Sequence, residues 1–575
     1  MISSFDVEQF PYRGLVSEFP VEKMPQDIVR TQPSERVART LRIGILLNSM
    51  AVPAWVYEVL ANLKKTDGIA LALVVLSEPK KRARRGLTEW AFEAYCRLDR
   101  LVFASKVPND ASRLVDARSL LHNVAMMSTT DSTAPSDAGS TRSEASIDVL
   151  LDFRLAGPGD LSFLRTTYGA MLFVPGDDDV YRGEPALFWE MYEKNAVSAT
   201  TLRLFDGTSR EGNLLYRSYS RTHSYSLFVN RTEVYWKTAA MFIDQVKKLR
   251  DGSLRVLENT GSSPAEVRTR HIPTFVQLSK FVLSVTFQLI TRQFRTRFFH
   301  ERWSMAFTAR ARDEEQLPGK EGQFRTIEPP RGRFYADPFA VSRDGREFIF
   351  FEDYGFRARR GRIGCLELDP QTGKVLNNRT ILEEDFHMSY PCVLEVDGTW
   401  FMVPETGEDR TIRLYRAVEF PWKWTLDTVL MNGVNAVDNT LHWEDGRFWM
   451  FVNLSPTGSS SHDELHLFHA ESIRGPWLAH PSNPVMTDTR KARAAGGLFR
   501  IGDSLYRPSQ NCSIVYGRSI VLNKVETLTV HDYKETVVSE ITPEWTRNGS
   551  IRTHTLSLSE RFLVTDTFKY VSRIS

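Results

Sequence analysis

The sequence predicts two domains of different class, an α/β domain followed by a five-bladed β-propeller. Three observations predict this. Near the N-terminus, apolar runs alternate with a helical stretch. After residue 300, short aromatic strands are broken by turns such as RDGRE, VDGTW, EDGRF and IGDSL. The hairpin these turns create then recurs at a near-constant interval.

Taken in order, residues 1–40 carry scattered Pro and charge without periodicity, and are expected to form a flexible N-terminal arm. A strand is expected over Leu41–Asn48, a helix from about Pro53 to Lys65, and a strand over Ile69–Ser77. That is a βαβ opening. Residues 128–147 are rich in Ser, Thr and Ala and have too little apolar surface to order themselves, so they read as a flexible insertion. Strands resume at Ile147–Phe153 and near Ala170–Val174 and Ser198–Phe205. The α/β domain thus covers 41–250. Residues 251–300 read as a linker helix. Within 272–300, Phe275, Leu278, Phe281, Val282 and Val285 fall at helical spacings, and Lys280, Arg292, Arg295 and Arg297 supply charge. Docking between the domains is the first reading of this helix. A peripheral membrane contact through an amphipathic surface helix is the second.

Residues 301–575 carry the repeats. Their units begin near 336, 389, 436, 494 and 553, at spacings of 53, 47, 58 and 59. Antiparallel repeats of this size read as propeller blades, five of them. Arg302–Arg310 is the candidate strand to close the ring.

Composition narrows the function. Lys+Arg 73 against Asp+Glu 71 leaves +2 over 575 residues, without the basic surplus of a nucleic-acid binder. Cys96, Cys365, Cys392 and Cys512 show neither disulfide nor zinc-ribbon spacing. The first residues lack a basic stretch followed by an apolar run, and no stretch reaches 18 uncharged apolar residues. The expected location is cytoplasmic. No GxGxxG, Walker loop or GxSxG occurs, so no cofactor is expected. His462, Asp463, His466 and His469 suit alternating faces of a strand better than a ligand set, so no metal is expected.

Propeller geometry turns the repeats into a site. In each blade the innermost strand starts on one face of the ring and the next strand ends on that face, so polar residues there converge on the central channel. Blade one offers Asp337, Glu352 and Asp353; blade two, Tyr390 and Glu405; blade three, Asp438 and Asn453. Blade four offers Arg493, Arg507 and Gln510, and blade five His554 and Asp566. Carboxylates crowded in one funnel cannot all ionise cheaply, so their pKa values split, as acid/base work on a glycosidic bond requires. Asp337, Glu405 and Asp438 are the catalytic candidates, and the others, apart from Asp566, are candidates for substrate binding. The competing reading is structural: such residues also cap strands and tie neighbouring blades together.

Two resemblances follow from these residues. ADPF in blade one, VDNTLHWEDGRFWMF in blade three, and SIRGPW followed by HPSNPV resemble the arabinanase, xylosidase, invertase and levansucrase propellers. FYADPF, MVPETG and AAGGLFRIGDSLYRPSQNCSIVYGRSIVLNKVETLT are closer to the N-terminal domain of plant glucosamine inositolphosphorylceramide transferases. The hydrolase resemblance implies Asp337 as base or nucleophile and Asp438 as pKa modulator or transition-state stabiliser. It also implies a general acid Glu opening blade four, where this chain has Ala495. Glu405 is the candidate substitute.

In the first domain, YGAMLFVPGDDDVYRG and SATTLRLFDGTSREGNLLY resemble folate-dependent formyltransferases. The catalytic Asn, His and Asp of that family fall at Leu172, Val174 and near Arg210, which implies a Rossmann-type formyltransferase fold with a dismantled site. Asn48 and Ser49 sit where such folds bind ligand, and Asp177–Asp179 read as a solvated loop. The expected function is a carbohydrate-active protein that works on a glycan or glycoconjugate by glycoside hydrolysis or glycosyl transfer, with a glycan or nucleotide-sugar ligand. The context is surface polysaccharide or glycolipid metabolism. The alternatives are a non-catalytic glycan-binding scaffold and, disfavoured, formyl transfer to a sugar nucleotide.

Overall fold

The computed structural model describes residues 40–77, 86–107, 109–128, 147–154, 166–176, 181–183, 185–206, 211–257, 268–310, 317–319, 322–455 and 458–573. Of the expected arm over 1–40 and insertion over 128–147, residues 1–39 and 129–146 lie outside these residues, as do Asp177–Asp179 and Arg210. The chain divides into two compact units, one of 33–289 with 456–460, the other built on 290–455 and 461–575.

The first unit is α/β. The strands of its main sheet are β1 (Leu41–Leu47), β2 (Ile69–Leu76), β3 (Ala125–Ser128), β4 (Ile147–Asp152), β5 (Thr166–Pro175), β6 (Val197–Phe205) and β7 (Asn213–Arg221). They form one sheet in the order β7-β6-β5-β4-β1-β2-β3. The pairs from β5 through to β3 are parallel, and β6 and β7 add antiparallel. β1 and β4 are mostly apolar, apart from Arg42, Asp148 and Asp152, and are buried along nearly their whole length, because a central parallel strand is covered on both faces. Helix α1 (Ala54–Lys65) turns Trp55, Val56, Val59, Leu60 and Leu63 inward and ends on Lys64 and Lys65, which suit the negative end of its dipole. Trp55 anchors the core against Phe153, Phe173 and Tyr235 at ring separations of 5.6, 5.7 and 5.7 Å.

Helices α2 (Leu87–Phe103), α3 (Leu227–Arg250) and α4 (Phe275–Phe298) follow. The sequence reading passes over α2 and α3. α3 buries Asn230, Thr232, Lys237, Thr238 and Gln245, which dilute its apolar period. Ser226 caps α3 by accepting from the Val229 N–H at 3.2 Å, and the buried Asp99 carboxylate of α2 accepts from Phe228 N–H at 2.7 Å. Among the described residues no helix is long and apolar enough to cross a membrane.

The second unit is a five-bladed propeller of four-stranded antiparallel sheets. The ring-closing strands are β8 (Phe299–Ala309) and β9 (Arg325–Ile327). Blade one is β10 (Arg333–Arg343), β11 (Arg346–Gly355), β12 (Arg360–Leu368) and β13 (Val375–Leu382). Blade two is β14 (Ser389–Val396), β15 (Thr399–Glu405), β16 (Thr411–Glu419) and β17 (Lys423–Asn432). Blade three is β18 (Ala436–Glu444), β19 (Arg447–Leu454), β20 (His466–Ala470) and β21 (Leu478–Ala479). Blade four is β22 (Phe499–Ile501), β23 (Ser504–Asn511), β24 (Ser519–Leu528) and β25 (Tyr533–Ile541). β26 (Leu556–Leu558) and β27 (Phe562–Ser572) join β8 and β9 as blade five, in the order β26-β27-β8-β9.

The turns explain the hairpins. Asp344-Gly345, Asp397-Gly398 and Asp445-Gly446 all take positive φ, the paired left-handed geometry that suits the twist of a two-residue hairpin. Blades meet through large apolar groups such as Phe350, which packs against Phe420 and Trp424 of the next blade at 5.8 Å each. The innermost strand of blade four is shorter than the repeat suggests. Ala494 makes one isolated bridge to Ser509, and regular pairing begins at Phe499.

Candidate active site

Three blades share a backbone kink on the innermost strand. The ladder skips between Ala336 and Phe339, between Ser389 and Cys392, and between Val437 and Thr440. Inside these bulges Asp337, Tyr390 and Asp438 have φ of 51°, 46° and 52°. A non-glycine residue in that region costs roughly 1–3 kcal/mol, so the surroundings must hold it there. Neighbouring blades do so. Asp337 N–H donates to Asp566 Oδ2 of blade five (3.3 Å), and Asp438 N–H donates to Glu405 Oε2 of blade two (3.2 Å). In blade four, Ala494 N–H donates to Asn453 Oδ1 of blade three (3.2 Å).

These links gather charge. Arg493 Nε and Nη2 reach the two Asp438 oxygens at 2.6 and 3.3 Å, and Gln510 Nε2 donates to Asp438 Oδ2 at 3.1 Å. Arg493 Nη1 also donates to Ser461 Oγ and His462 Nδ1, and its guanidinium lies 4.8 Å over the Tyr516 ring. His554 stands between two carboxylates. Its Nε2 is 3.4 Å from Asp337 Oδ1 and its Nδ1 contacts Asp566. The ring stacks on Trp303 at 4.1 Å, with Tyr516 edge-on at 5.1 Å. Thr555 Oγ1 donates to Asp337 Oδ1 at 3.0 Å. Asp337, Glu352, Glu405 and Asp438 are all at least nine-tenths buried.

Burial and mutual repulsion separate these acids. Burial pushes Asp337 up to about 6; Asp438 and Asp566 add to the rise and His554 opposes it. Burial, then the charges of Asp337 and Glu405, hold Glu352 well above the ordinary carboxylate range. Glu405 is also held well above that range, by burial and then by Asp438, to which it is hydrogen-bonded. Burial thus favours the neutral carboxyl at Glu405, beside an Asp438 paired with Arg493, and raises Asp337 less, to about 6. Burial opposes charge on His554, but Asp566 and Asp337 outweigh it and raise the imidazole. His387 is pushed down to about 4 by burial; its Nδ1 accepts from Gly361 N–H at 2.8 Å and its Nε2 lies 3.6 Å from Glu352 Oε1.

The structure therefore brings together Asp337, Glu352, Glu405, Asp438, Arg493, Gln510 and His554. Four other candidates point elsewhere. Asp353 binds Arg333 (2.6 Å) and Arg362 (3.3 Å), because adjacent residues of a strand face opposite ways and Glu352 takes the funnel side. Arg507 forms a fully buried pair with Glu535 of β25 (2.7 and 2.8 Å). Asn453 is consumed by Glu464 O and Ala494 N–H. The Tyr390 hydroxyl is held by Thr440 Oγ1 (2.8 Å) and Gly496 N–H (2.6 Å), so this ring ties blades two, three and four instead of meeting a ligand. The sequence reading missed Trp303, His387 and Tyr516. Tyr516 and His387 sit between strands, beyond the strand ends the repeat singles out, and Trp303 belongs to the closing strand.

Asp337, His554 and Asp566 place one ligand atom each within 4.8 Å of one another, a grouping able to hold a metal ion where the sequence reading expected none. Both imidazole nitrogens already face carboxylates, so an imidazolium satisfies the trio by itself. His462 and His469 have separate neighbours, Arg493 and Tyr516 for the first, Trp449 and Arg447 for the second.

The fold and site thus define a five-bladed propeller with a buried carboxylate funnel. Residues 327–560 match the family model described as glucosamine inositolphosphorylceramide transferase 1, N-terminal. The proteins of that name from Oryza sativa subsp. japonica and Arabidopsis thaliana are 36% identical over 209 residues and 31% identical over 208. Each match covers 36% of this chain, and the chain spans 28% and 27% of the length of those relatives. Among solved structures, a family 117 glycoside hydrolase of Zobellia galactanivorans is 12% identical with a TM-score of 0.32, covering 46% of this chain and 90% of its own. The Coprinopsis cinerea GH62 α-L-arabinofuranosidase catalytic domain is also 12% identical, with a TM-score of 0.30, covering 46% and 98%.

Proposed function

We propose that the propeller is a carbohydrate-active domain that works on the glycosidic bond of a glycan or glycoconjugate, by hydrolysis or by transfer. The observation that carries this reading is the gathering of Asp337, Glu405 and Asp438 in one buried cluster, where burial raises Glu405 well above the carboxylate range and Asp337 to about 6. Glu405 would protonate the leaving oxygen, the role left vacant by Ala495. Asp337 would act as base or nucleophile, and Asp438, balanced by Arg493 and Gln510, would stabilise positive charge developing on the sugar. The match to glucosamine inositolphosphorylceramide transferases supports a glycolipid or surface-polysaccharide context and a glycan or nucleotide-sugar ligand.

The test is turnover of a panel of glycosides and nucleotide sugars by the wild type beside Asp337→Asn and Glu405→Gln. Turnover by the wild type alone supports the reading. Equal inactivity of all three with saccharide binding retained favours the second reading, a glycan-binding scaffold. That second reading draws on the blade-tying bonds of Asn453, Asp566 and Glu405.

For the α/β unit we infer a formyltransferase-like scaffold without formyl transfer. Leu172 is buried in the core on β5, where the resembled family carries its catalytic Asn. Tight binding of a reduced folate by the purified chain would overturn this.

A further inference from the structure

Helix α4 is apolar on two opposite faces. Its inner face sets Leu278, Phe281 and Val285 into the core of the α/β unit, where Phe281 meets Phe188 at 4.6 Å and Tyr95 of α2 at 5.3 Å. At 3.6 residues per turn the opposite face carries Val276, Leu283, Phe287, Ile290, Phe294 and Phe298. All six are exposed, Leu283 by 70% and Phe287 by 64%. A helix on a protein surface ordinarily turns charged and polar residues that way. α2, packed beside α4, does the same: it buries Phe92 and Phe103 and exposes Leu87, Trp90, Leu98 and Leu101. Exposed apolar faces of this kind mark a binding surface.

The charges on α4 say what covers it. Over its 24 residues the helix has no Asp or Glu, and it carries Lys280, Arg292, Arg295 and Arg297. Lys280, Arg295 and Arg297 are exposed. Two copies meeting through this face would bring cations against cations. An anionic bilayer surface offers both an apolar layer for the Phe and Leu side chains and negative headgroups for the bases. The helix is too polar to cross a membrane, so it would lie along one. We propose that the exposed face of α4 docks the protein on an anionic membrane surface. The polar side chains of the helix then stay in the headgroup layer while the aromatic stripe enters the acyl boundary.

The test is cosedimentation of the full chain with vesicles of phosphatidylcholine alone or mixed with phosphatidylglycerol, at low and high salt. The proposal expects binding to the mixed vesicles, weakened by salt, and little binding to the neutral ones. Leu283→Glu/Phe287→Glu should abolish it, and Lys280→Gln/Arg297→Gln should weaken it by roughly fivefold for each basic residue removed. All four positions are exposed, so circular dichroism and melting temperature should match the wild type. Failure of the wild type to bind mixed vesicles would overturn the proposal. So would a wild-type dimer in light scattering that the double glutamate variant dissolves without any vesicle binding, since the face would then belong to a second copy.

Discussion

At the scale of single residues, the proposed chemistry rests on Asp337 and Glu405, and their titration makes separate predictions. Asp337 is raised from 3.8 to about 6, so the folded state holds this proton more tightly than the unfolded chain does. The sign follows from linkage. Below the unfolded value both states are protonated and nothing is lost. As pH rises through the folded value, the buried charge costs stability, on the order of 1–3 kcal/mol once both states are ionised. Asp337→Asn should therefore melt higher than the wild type near about pH 8 and show little gain near about pH 4, while turnover disappears. Equal melting temperatures at both would contradict the buried-charge account. Glu405 is held well above the carboxylate range, so Glu405→Gln replaces one neutral group by another. Its fold should survive, and turnover of a glycoside with a poor leaving group should fall by about 10²–10⁴-fold, measured as kcat.

At the scale of elements, the period of the strand decides what each residue meets. Asp337, Tyr390 and Asp438 were legible because the repeats align them, and the structure gives all three the same kink. Their different fates were not legible, since Tyr390 is tied by Thr440 of blade three and Gly496 of blade four. Arg507 and Asp353 were misplaced for one reason. A strand alternates its faces, and Gln510 and Glu352 already occupied the funnel side of β23 and β11. Arg507→Met should cost roughly 3–5 kcal/mol by leaving Glu535 buried without its partner, and adding Glu535→Leu should recover most of it; chemical denaturation measures both. Recovery failing in the double variant would point to a role for Arg507 beyond the pair. Gly496, at φ +116°, admits no side chain, because a β-carbon there would stand 2.0 Å from Leu556 O. α3 escaped the sequence reading because its inward face is interrupted by polar residues, with Asn230, Lys237 and Gln245 among those it buries.

At the scale of the molecule, the propeller is a ring whose closure depends on one strand from its own N-terminal edge. β8 pairs with β27 along its whole length, from Phe299 opposite Ser572 to Ala309 opposite Phe562. The same strand brings Trp303 against His554, so closure and funnel are one structure. A chain beginning after Ala309 should lose cooperative melting and become protease-sensitive in β27, since an unpaired strand exposes its backbone groups. The repeats made the ring legible, but the funnel's aromatic wall was hidden because Trp303 and Tyr516 belong to no repeated motif. The measurement that tests the funnel chemistry most directly is the pH dependence of kcat/KM for a turned-over saccharide, wild type against Glu405→Gln. The funnel predicts a rate that rises through about pH 6 as Asp337 ionises, and a fall at higher pH that Glu405→Gln removes along with most of the rate. A profile flat across that range, or full turnover by Glu405→Gln, would contradict it.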